Sequence, residues 1–144
     1  RARSPSRGLG DVYKRQPESF LAGIPIGLLI AAVVYMNEFP DHESDKATGK
    51  NTLIVVFGPE RARAGYVALV ASAFISIVIM AINGTLPMLS LIALLAVYFG
   101  YTATKTLYKY YNNRLLQPAN WGTIIMHSVT GILFTIGIWF GNSI

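Results

Sequence analysis

Long uncharged stretches alternate with short charged segments along this chain. The apolar stretches have 17 to 20 residues each once the polar segments at 83–87 and 117–120 are taken to divide the two longest uncharged runs. A helix of about 20 residues crosses the roughly 30 Å hydrocarbon layer of a bilayer. Backbone N–H and C=O groups in lipid must form hydrogen bonds within their own segment, which a helix allows. The pattern therefore predicts an all-α integral membrane helical bundle with four transmembrane helices, at about 20–37, 64–82, 88–104 and 121–140.

The composition agrees with this prediction and removes several other classes of protein. Hydrophobic residues make up 53% of the chain and charged residues 13%, and the mean hydropathy is +0.45. These values exclude an ordinary soluble domain and a disordered chain. The sequence has no cysteine, which excludes a disulfide framework, a zinc site with cysteine ligands and an iron–sulfur cluster.

The net charge of +5 does not indicate a nucleic-acid partner, because most of it lies in one short segment. Residues 1–16 hold five basic side chains and one acid, whereas residues 17–144 are close to neutral. The string DVYKRQ at 11–16 also matches the translation of a transposon-end sequencing adaptor. We interpret 1–16 as a non-native tail and 17–144 as the membrane domain; a native basic arm at a membrane surface is the alternative.

The distribution of lysine and arginine predicts the orientation of the bundle. The loops at 38–63 and 105–114 carry these residues, whereas 83–87 and 141–144 carry none. Because cytoplasmic loops of membrane proteins are enriched in lysine and arginine, we expect the first and third loops to be cytoplasmic. A basic segment before the first helix opposes this orientation, which is a second reason to treat it as foreign.

Four of the six acids that follow residue 16 lie close together in the first loop: Glu38, Asp41, Glu43 and Asp45. Asn37, Asp41 and Asp45 recur every four residues, so on a helix they share one face. Carboxylate and amide oxygens suit Mg²⁺, which commonly binds through one or two carboxylates plus substrate phosphates. Pro40 is unfavourable inside a helix, and we expect a break near it.

Basic residues follow these acids within 18 positions, at Lys46, Lys50, Arg61 and Arg63. Acids that bind a metal, followed by bases that bind phosphate, would hold a magnesium–diphosphate complex. A solvated loop whose charges pair with one another has the same composition. The charge pattern alone leaves both interpretations open.

The longer string at 37–58, NEFPDHESDKATGKNTLIVVFG, resembles the second aspartate-rich motif of the UbiA superfamily of membrane prenyltransferases. It is especially similar to members that prenylate 1,4-dihydroxy-2-naphthoate. The order of one span, an acidic loop and three further spans also resembles the C-terminal portion of the nine-helix fold of that superfamily. The resemblance covers essentially all of 17–144.

The resemblance implies a role for individual residues and Mg²⁺ as the cofactor. The positions concerned are Asp41 and Asp45 for the metal; Asn37, Lys46 and Lys50 for the diphosphate; and Glu38 as a weaker supporting position. Gly49 and Gly58 correspond to glycines that form the loop. No residue of this sequence is identified as the catalytic base.

The implied reaction transfers a polyprenyl group from a prenyl diphosphate to an aromatic acceptor within the lipid bilayer. The acceptor implied is 1,4-dihydroxy-2-naphthoate, in menaquinone biosynthesis, in the plasma membrane of a bacterium or an archaeon. Other acceptors of the superfamily remain open: 4-hydroxybenzoate, homogentisate, haem, chlorophyllide and a glyceryl phosphate. Outside the enzymes, the alternatives are a cation-binding membrane protein, part of a transporter or channel, and a structural membrane subunit.

The sequence departs from the superfamily in one respect. Members carry two aspartate-rich motifs, in two related halves, whereas this chain has one such motif and about five fewer spans. We therefore expect a C-terminal fragment of an enzyme that is inactive by itself. The base that removes the proton from the acceptor is expected in the other half.

Overall fold

The computed structural model describes residues 5–141, and it describes side chains for residues 20–141 except Arg114. The first four residues of the predicted non-native tail lie outside the described residues, and the remainder of that tail lies in the first turns of a helix. No strand occurs between residues 5 and 141. The α-helices are α1 (Pro5–Ala47), α2 (Leu53–Phe57), α3 (Pro59–Ile82), α4 (Val97–Tyr110) and α5 (Gln117–Gly141), with 3₁₀ segments at Met88–Ala96 and Arg114–Leu116.

The prediction of four membrane-spanning helices is confirmed in the described part of the chain. Four helical stretches are long and apolar enough to cross a bilayer: Phe20–Ala47, Pro59–Ile82, Met88–Tyr110 and Gln117–Gly141. Each is longer than its predicted span because charged or polar residues at its ends stay helical. Uncharged length therefore locates a transmembrane helix and underestimates its extent.

The expected break near Pro40 is wrong, because α1 continues as one helix to Ala47. A proline removes only one backbone donor from a helix, and the residues on either side hold this segment against the bundle. Phe39 and His42 are both buried, and Phe39 belongs to the core layer that α1 shares with the neighbouring helices. The packing of this face outweighs the missing hydrogen bond.

The bundle has two layers of buried side chains. The layer that joins α1, α2 and the ends of α3, α4 and α5 contains Tyr35, Met36, Phe39, Ile54, Tyr66, Leu107 and Leu116. The other layer contains Leu29, Phe74, Ile77, Met80, Leu86, Met126 and Phe134. A buried polar chain strengthens the first layer: the Tyr66 hydroxyl donates to Thr123 at 2.8 Å, and Thr123 donates to the carbonyl of Ala119.

The first half of the third span is a 3₁₀ helix, a difference that the hydropathy pattern does not predict. This segment packs directly on α5, where a Cβ atom at Gly137 would lie 2.6 Å from the Cα atom of Ser90 and 2.7 Å from the carbonyl oxygen of Leu89. Small residues let membrane helices approach closely. Gly137 is therefore required for this contact.

Candidate functional site

The polar end of α1 carries the predicted site on one continuous helix. Since residues 37–45 are all helical, Asn37, Asp41 and Asp45 lie on successive turns and share a face, as the spacing predicts. Asn37 and Asp41 are exposed, whereas Asp45 is only 9% exposed. The face thus changes from open to covered toward the end of the helix.

Gly49 ends α1 and determines where the following lysine lies. Gly49 has a φ of +75°, its backbone N–H donates to the carbonyl of Lys46 at 3.2 Å, and the N–H of Lys50 donates to the carbonyl of Asp45 at 2.9 Å. These two bonds form a Schellman motif, which favours glycine at the left-handed position. The motif turns Lys50 back over the last turn of the helix.

Lys50 binds Asp45 through both carboxylate oxygens. Its Nζ atom lies 3.2 Å from Oδ1 and 3.1 Å from Oδ2 of Asp45. The lysine side chain is 63% exposed and the aspartate side chain 13% exposed, so the ammonium group is the solvent-facing member of the pair. A phosphate oxygen that approaches this pair meets the cation first.

The remaining members of the predicted set are less constrained. Asp41 and Lys46 are both exposed, and neither side chain forms an ion pair within the described part of the chain. Glu38 is half-buried and lies one helical turn before His42. A carboxylate and an ammonium group that have no ion-pair partner among the described residues therefore lie in neighbouring turns of one helix end.

Asn37 is bound by a residue that the sequence did not single out. The side-chain N–H of Asn120 in α5 donates to Oδ1 of Asn37 at 2.9 Å across 83 positions of sequence. The side-chain oxygen of Asn120, Oδ1, is buried and has no partner among the described residues. With its oxygen engaged, Asn37 presents its two N–H donors to a ligand. No local signal marks Asn120, because the contact exists only once α1 and α5 pack together.

Two other predicted charges do not join this face. Arg63 binds within the bundle: its Nε donates to the carbonyl of Glu60 at 2.8 Å and its Nη1 to the carbonyl of Tyr108 at 3.2 Å. Its guanidinium also lies 4.6 Å and 4.4 Å from the ring centroids of Tyr108 and Tyr111. Arg61 lines a separate groove beside α2. The basic set near the acids is thus Lys46 and Lys50.

The two histidines lie apart from the acidic face. His42 is buried, with Nδ1 donating to the carbonyl of Phe39 at 3.1 Å and Nε2 at 3.1 Å from Oε1 of Glu43. His127 lies in α5, where its Nδ1 is buried without a partner among the described residues. It lines a groove of about 650 Å³ between α1 and α5 that also includes Ile26, Gly131 and Thr135.

The residues that the structure describes do not form a complete magnesium site at the end of α1. No group of three or more acidic, histidine or cysteine side chains is placed to hold a metal among the described residues. Asp41 and Asp45 nevertheless supply two carboxylates on one helical face, the number that Mg²⁺ commonly takes from protein when phosphates provide further oxygens. The donor set therefore suits a metal that arrives together with a diphosphate.

The model of the UbiA prenyltransferase family matches residues 9–124 of this sequence, which is the larger part of the chain. The chain belongs to the UbiA prenyltransferase family. No curated protein and no solved structure matches it. Membership of the UbiA family agrees with the four apolar helices and identifies an integral membrane protein of the prenyltransferase class, whose members transfer prenyl groups to aromatic acceptors.

Proposed function

We propose that the polar end of α1 binds the diphosphate of a prenyl donor during transfer of a polyprenyl group to 1,4-dihydroxy-2-naphthoate in menaquinone biosynthesis. The observation that supports this best is the arrangement of four charges in the last turns of α1 and in the turn that follows it. Asp41 forms no ion pair with any described residue, Asp45 is held by Lys50 at 3.1 Å, and Lys46 is exposed beside them. Two anions and two cations at one helix end suit a ligand that combines a metal ion with a diphosphate.

Each residue has a defined task in this proposal. Asp41 and Asp45 would hold Mg²⁺, which when bound neutralises negative charge on the diphosphate leaving group. Lys46 and Lys50 bind diphosphate oxygens as point charges. Asn37, held by Asn120, donates an N–H to the same group. Glu38, half-buried on the same helix, adds negative charge behind the ligands.

Binding in this way favours heterolysis of the allylic C–O bond, whose electron pair leaves with the diphosphate. A carbon of the electron-rich acceptor ring then forms the new C–C bond and gives up its proton. The prenyl cation must be kept from water, and the apolar helices of the bundle do this. No described residue is assigned as the base that takes the proton.

The isoprenoid chain fits the groove between α1 and α5. His127 follows Asn120 by seven residues, about 10 Å along a helix, and Ile26 precedes Asn37 by eleven residues, about 16 Å. The groove that these residues line measures about 650 Å³. It therefore begins below the Asn37–Asn120 pair and continues away from the acidic face, the direction a prenyl chain would take.

The acceptor is the part of the proposal that rests on the motif at 37–58 alone. Incubating the protein expressed from the full source gene with a prenyl diphosphate and each superfamily acceptor in turn tests it. We expect 1,4-dihydroxy-2-naphthoate to be prenylated in preference to 4-hydroxybenzoate and homogentisate. Preference for another acceptor would overturn the assignment to menaquinone biosynthesis and leave the diphosphate site intact.

Calorimetric titration of the purified chain with geranyl diphosphate, with and without Mg²⁺, tests the diphosphate site itself. Because the superfamily resemblance implies a second motif elsewhere in the enzyme, we expect weak binding that requires Mg²⁺. Asp41→Asn and Asp45→Asn should abolish the heat of binding. Glu43→Gln is the matched control, since this acid is exposed on the same helix and faces His42. Binding that is independent of Mg²⁺, or equal in the variants, would refute the proposal.

A further inference from the structure

A second groove runs between α1, α2 and α3, with a volume of about 500 Å³. Its walls are mostly apolar and include Leu53, Phe57 and Leu69, while Arg61 and Ser72 line its two ends along α3. Leu53 and Phe57 are 55% and 59% exposed. Apolar side chains exposed to this degree mark a surface that binds lipid or another apolar partner.

This groove is separate from the acidic face of α1. Tyr35 lines the groove, whereas Asn37 belongs to the acidic face. Two residues correspond to about 200° of rotation around an α-helix, so the two side chains leave α1 on nearly opposite sides. A molecule in the groove therefore does not contact the proposed diphosphate site.

Tyr35 and Gly65 shape the floor of the groove. The Tyr35 hydroxyl donates to the carbonyl of Ala62 in α3 at 2.9 Å, so its polar group is satisfied within the protein. A Cβ atom at Gly65 would lie 2.5 Å from the same hydroxyl oxygen, so glycine is what lets the ring lie across α3. The floor is thereby fixed and presents an apolar surface.

Arg61 is a cation that has no partner among the residues that the structure describes. Glu60, the nearest acid in sequence, pairs with Arg63 at 3.5 Å. Arg61 itself forms no ion pair or hydrogen bond within the described part of the chain. It lies at the α2 end of the groove, on the side that the lysine and arginine distribution predicts to be cytoplasmic. Anionic lipids are concentrated in that leaflet.

We propose that this groove is a binding site for an anionic phospholipid, with the phosphate group on Arg61 and one acyl chain along α3 toward Ser72. Eleven residues separate these two positions, about 16 Å along a helix, which matches one leaflet of a hydrocarbon layer about 30 Å thick. Charge at one end and an apolar channel of leaflet length are the two features that such a lipid requires. The site is additional to the binding of the prenyl substrate.

Native mass spectrometry of the full chain in detergent, titrated with phosphatidylglycerol or phosphatidylcholine of the same acyl length, tests this proposal. We expect one phosphatidylglycerol to bind in preference to phosphatidylcholine. Arg61→Gln should weaken phosphatidylglycerol binding about fivefold, the effect of one basic residue at an anionic surface, and weaken phosphatidylcholine binding less, because the choline cation already neutralises its phosphate. Ala68→Phe, which fills the groove from an exposed position, should weaken both lipids. Lys105→Gln, an exposed cation elsewhere, is the control.

Three results would overturn the proposal. The first is equal affinity of the unmodified chain for the two lipids, and the second is an Arg61→Gln variant that binds phosphatidylglycerol as the Lys105→Gln variant does. The third is displacement of the bound lipid by stoichiometric geranyl diphosphate or by dimerisation of the chain, which would assign the groove to the substrate or to a second copy. Arg61 is exposed, so its variant is expected to fold normally.

Discussion

Two charged regions lie at the same end of the bundle and differ in how completely their charges are paired. At the junction of α3 and α4, Arg63 binds two carbonyls, one carboxylate and two aromatic rings. At the end of α1, Asp41 and Lys46 have no ion-pair partner within the described residues. The first region is complete without a ligand, whereas the second has donors and acceptors left for one. Pairing, more than charge density, thus separates a structural cluster from a candidate site.

The largest expected effect is on ligand binding at the open region. Asp41→Asn should reduce Mg²⁺-dependent binding of geranyl diphosphate at least tenfold, because it removes a carboxylate ligand. The melting temperature of the protein in detergent should stay unchanged, since the side chain is exposed and unpaired in the described structure. A fall in melting temperature without a change in binding would show that Asp41 is structural, and the comparison between the two regions would then fail.

A substitution in the paired region should lower stability and leave ligand binding almost unchanged. Arg63→Ala should lower the free energy of unfolding by about 2 kcal/mol, because it removes two cation–π contacts and hydrogen bonds from a charged donor. Its effect on geranyl diphosphate binding at a temperature where the protein is folded should be small. Thermal unfolding measures stability and calorimetry measures binding in the same sample. The matched variant is Arg61→Ala, because Arg61 has no partner among the described residues.

A substitution of Gly49 should affect both stability and diphosphate binding, since this residue ends α1 and determines where Lys50 lies. The Cβ atom of an alanine at position 49 would meet no atom within 4 Å. The loss of stability therefore comes from the left-handed backbone alone and is about 1 kcal/mol. If the turn relaxes, Lys50 leaves Asp45 and diphosphate binding weakens. We expect Gly49→Ala to lower both melting temperature and affinity. A variant that keeps full affinity would show that the Lys50–Asp45 pair is not part of the site.

Asn120→Ala should have the smallest effect on stability and on the affinity for geranyl diphosphate. The substitution removes one hydrogen bond to Asn37, but it also removes a buried oxygen that has no partner in the described structure, so stability should change little. Affinity for geranyl diphosphate should fall about fivefold, corresponding to one hydrogen bond of about 1 kcal/mol. Asn37→Ala should give the same loss, and the double variant should be no weaker than either. Additive losses would show that the two residues act independently.

The sequence predicts the fold well because transmembrane helices depend on uncharged length, which is a local property. It also predicts that Asn37, Asp41 and Asp45 share a face, since four-residue spacing does so on any helix. The continuation of α1 through Pro40 and the 3₁₀ start of the third span depend instead on packing against other helices. Arg61 and Arg63 show the same limit: two residues apart, they leave α3 on different sides, and only the positions of the neighbouring helices decide which is paired. Asn120 lies 83 residues from Asn37, beyond any local pattern.

The most direct test of the central claim uses Mn²⁺ in place of Mg²⁺ and observes its ligands. Aspartate occurs at three positions in the chain, 11, 41 and 45, so labelling its carboxyl carbon with ¹³C marks very few groups. With geranyl diphosphate present, electron–nuclear double resonance should detect ¹³C coupled to the bound Mn²⁺. The coupling should disappear in the Asp41→Asn, Asp45→Asn double variant. Absence of ¹³C coupling in the unmodified chain, or a coupling that survives in the double variant, would contradict the assignment of the metal–diphosphate site to the end of α1.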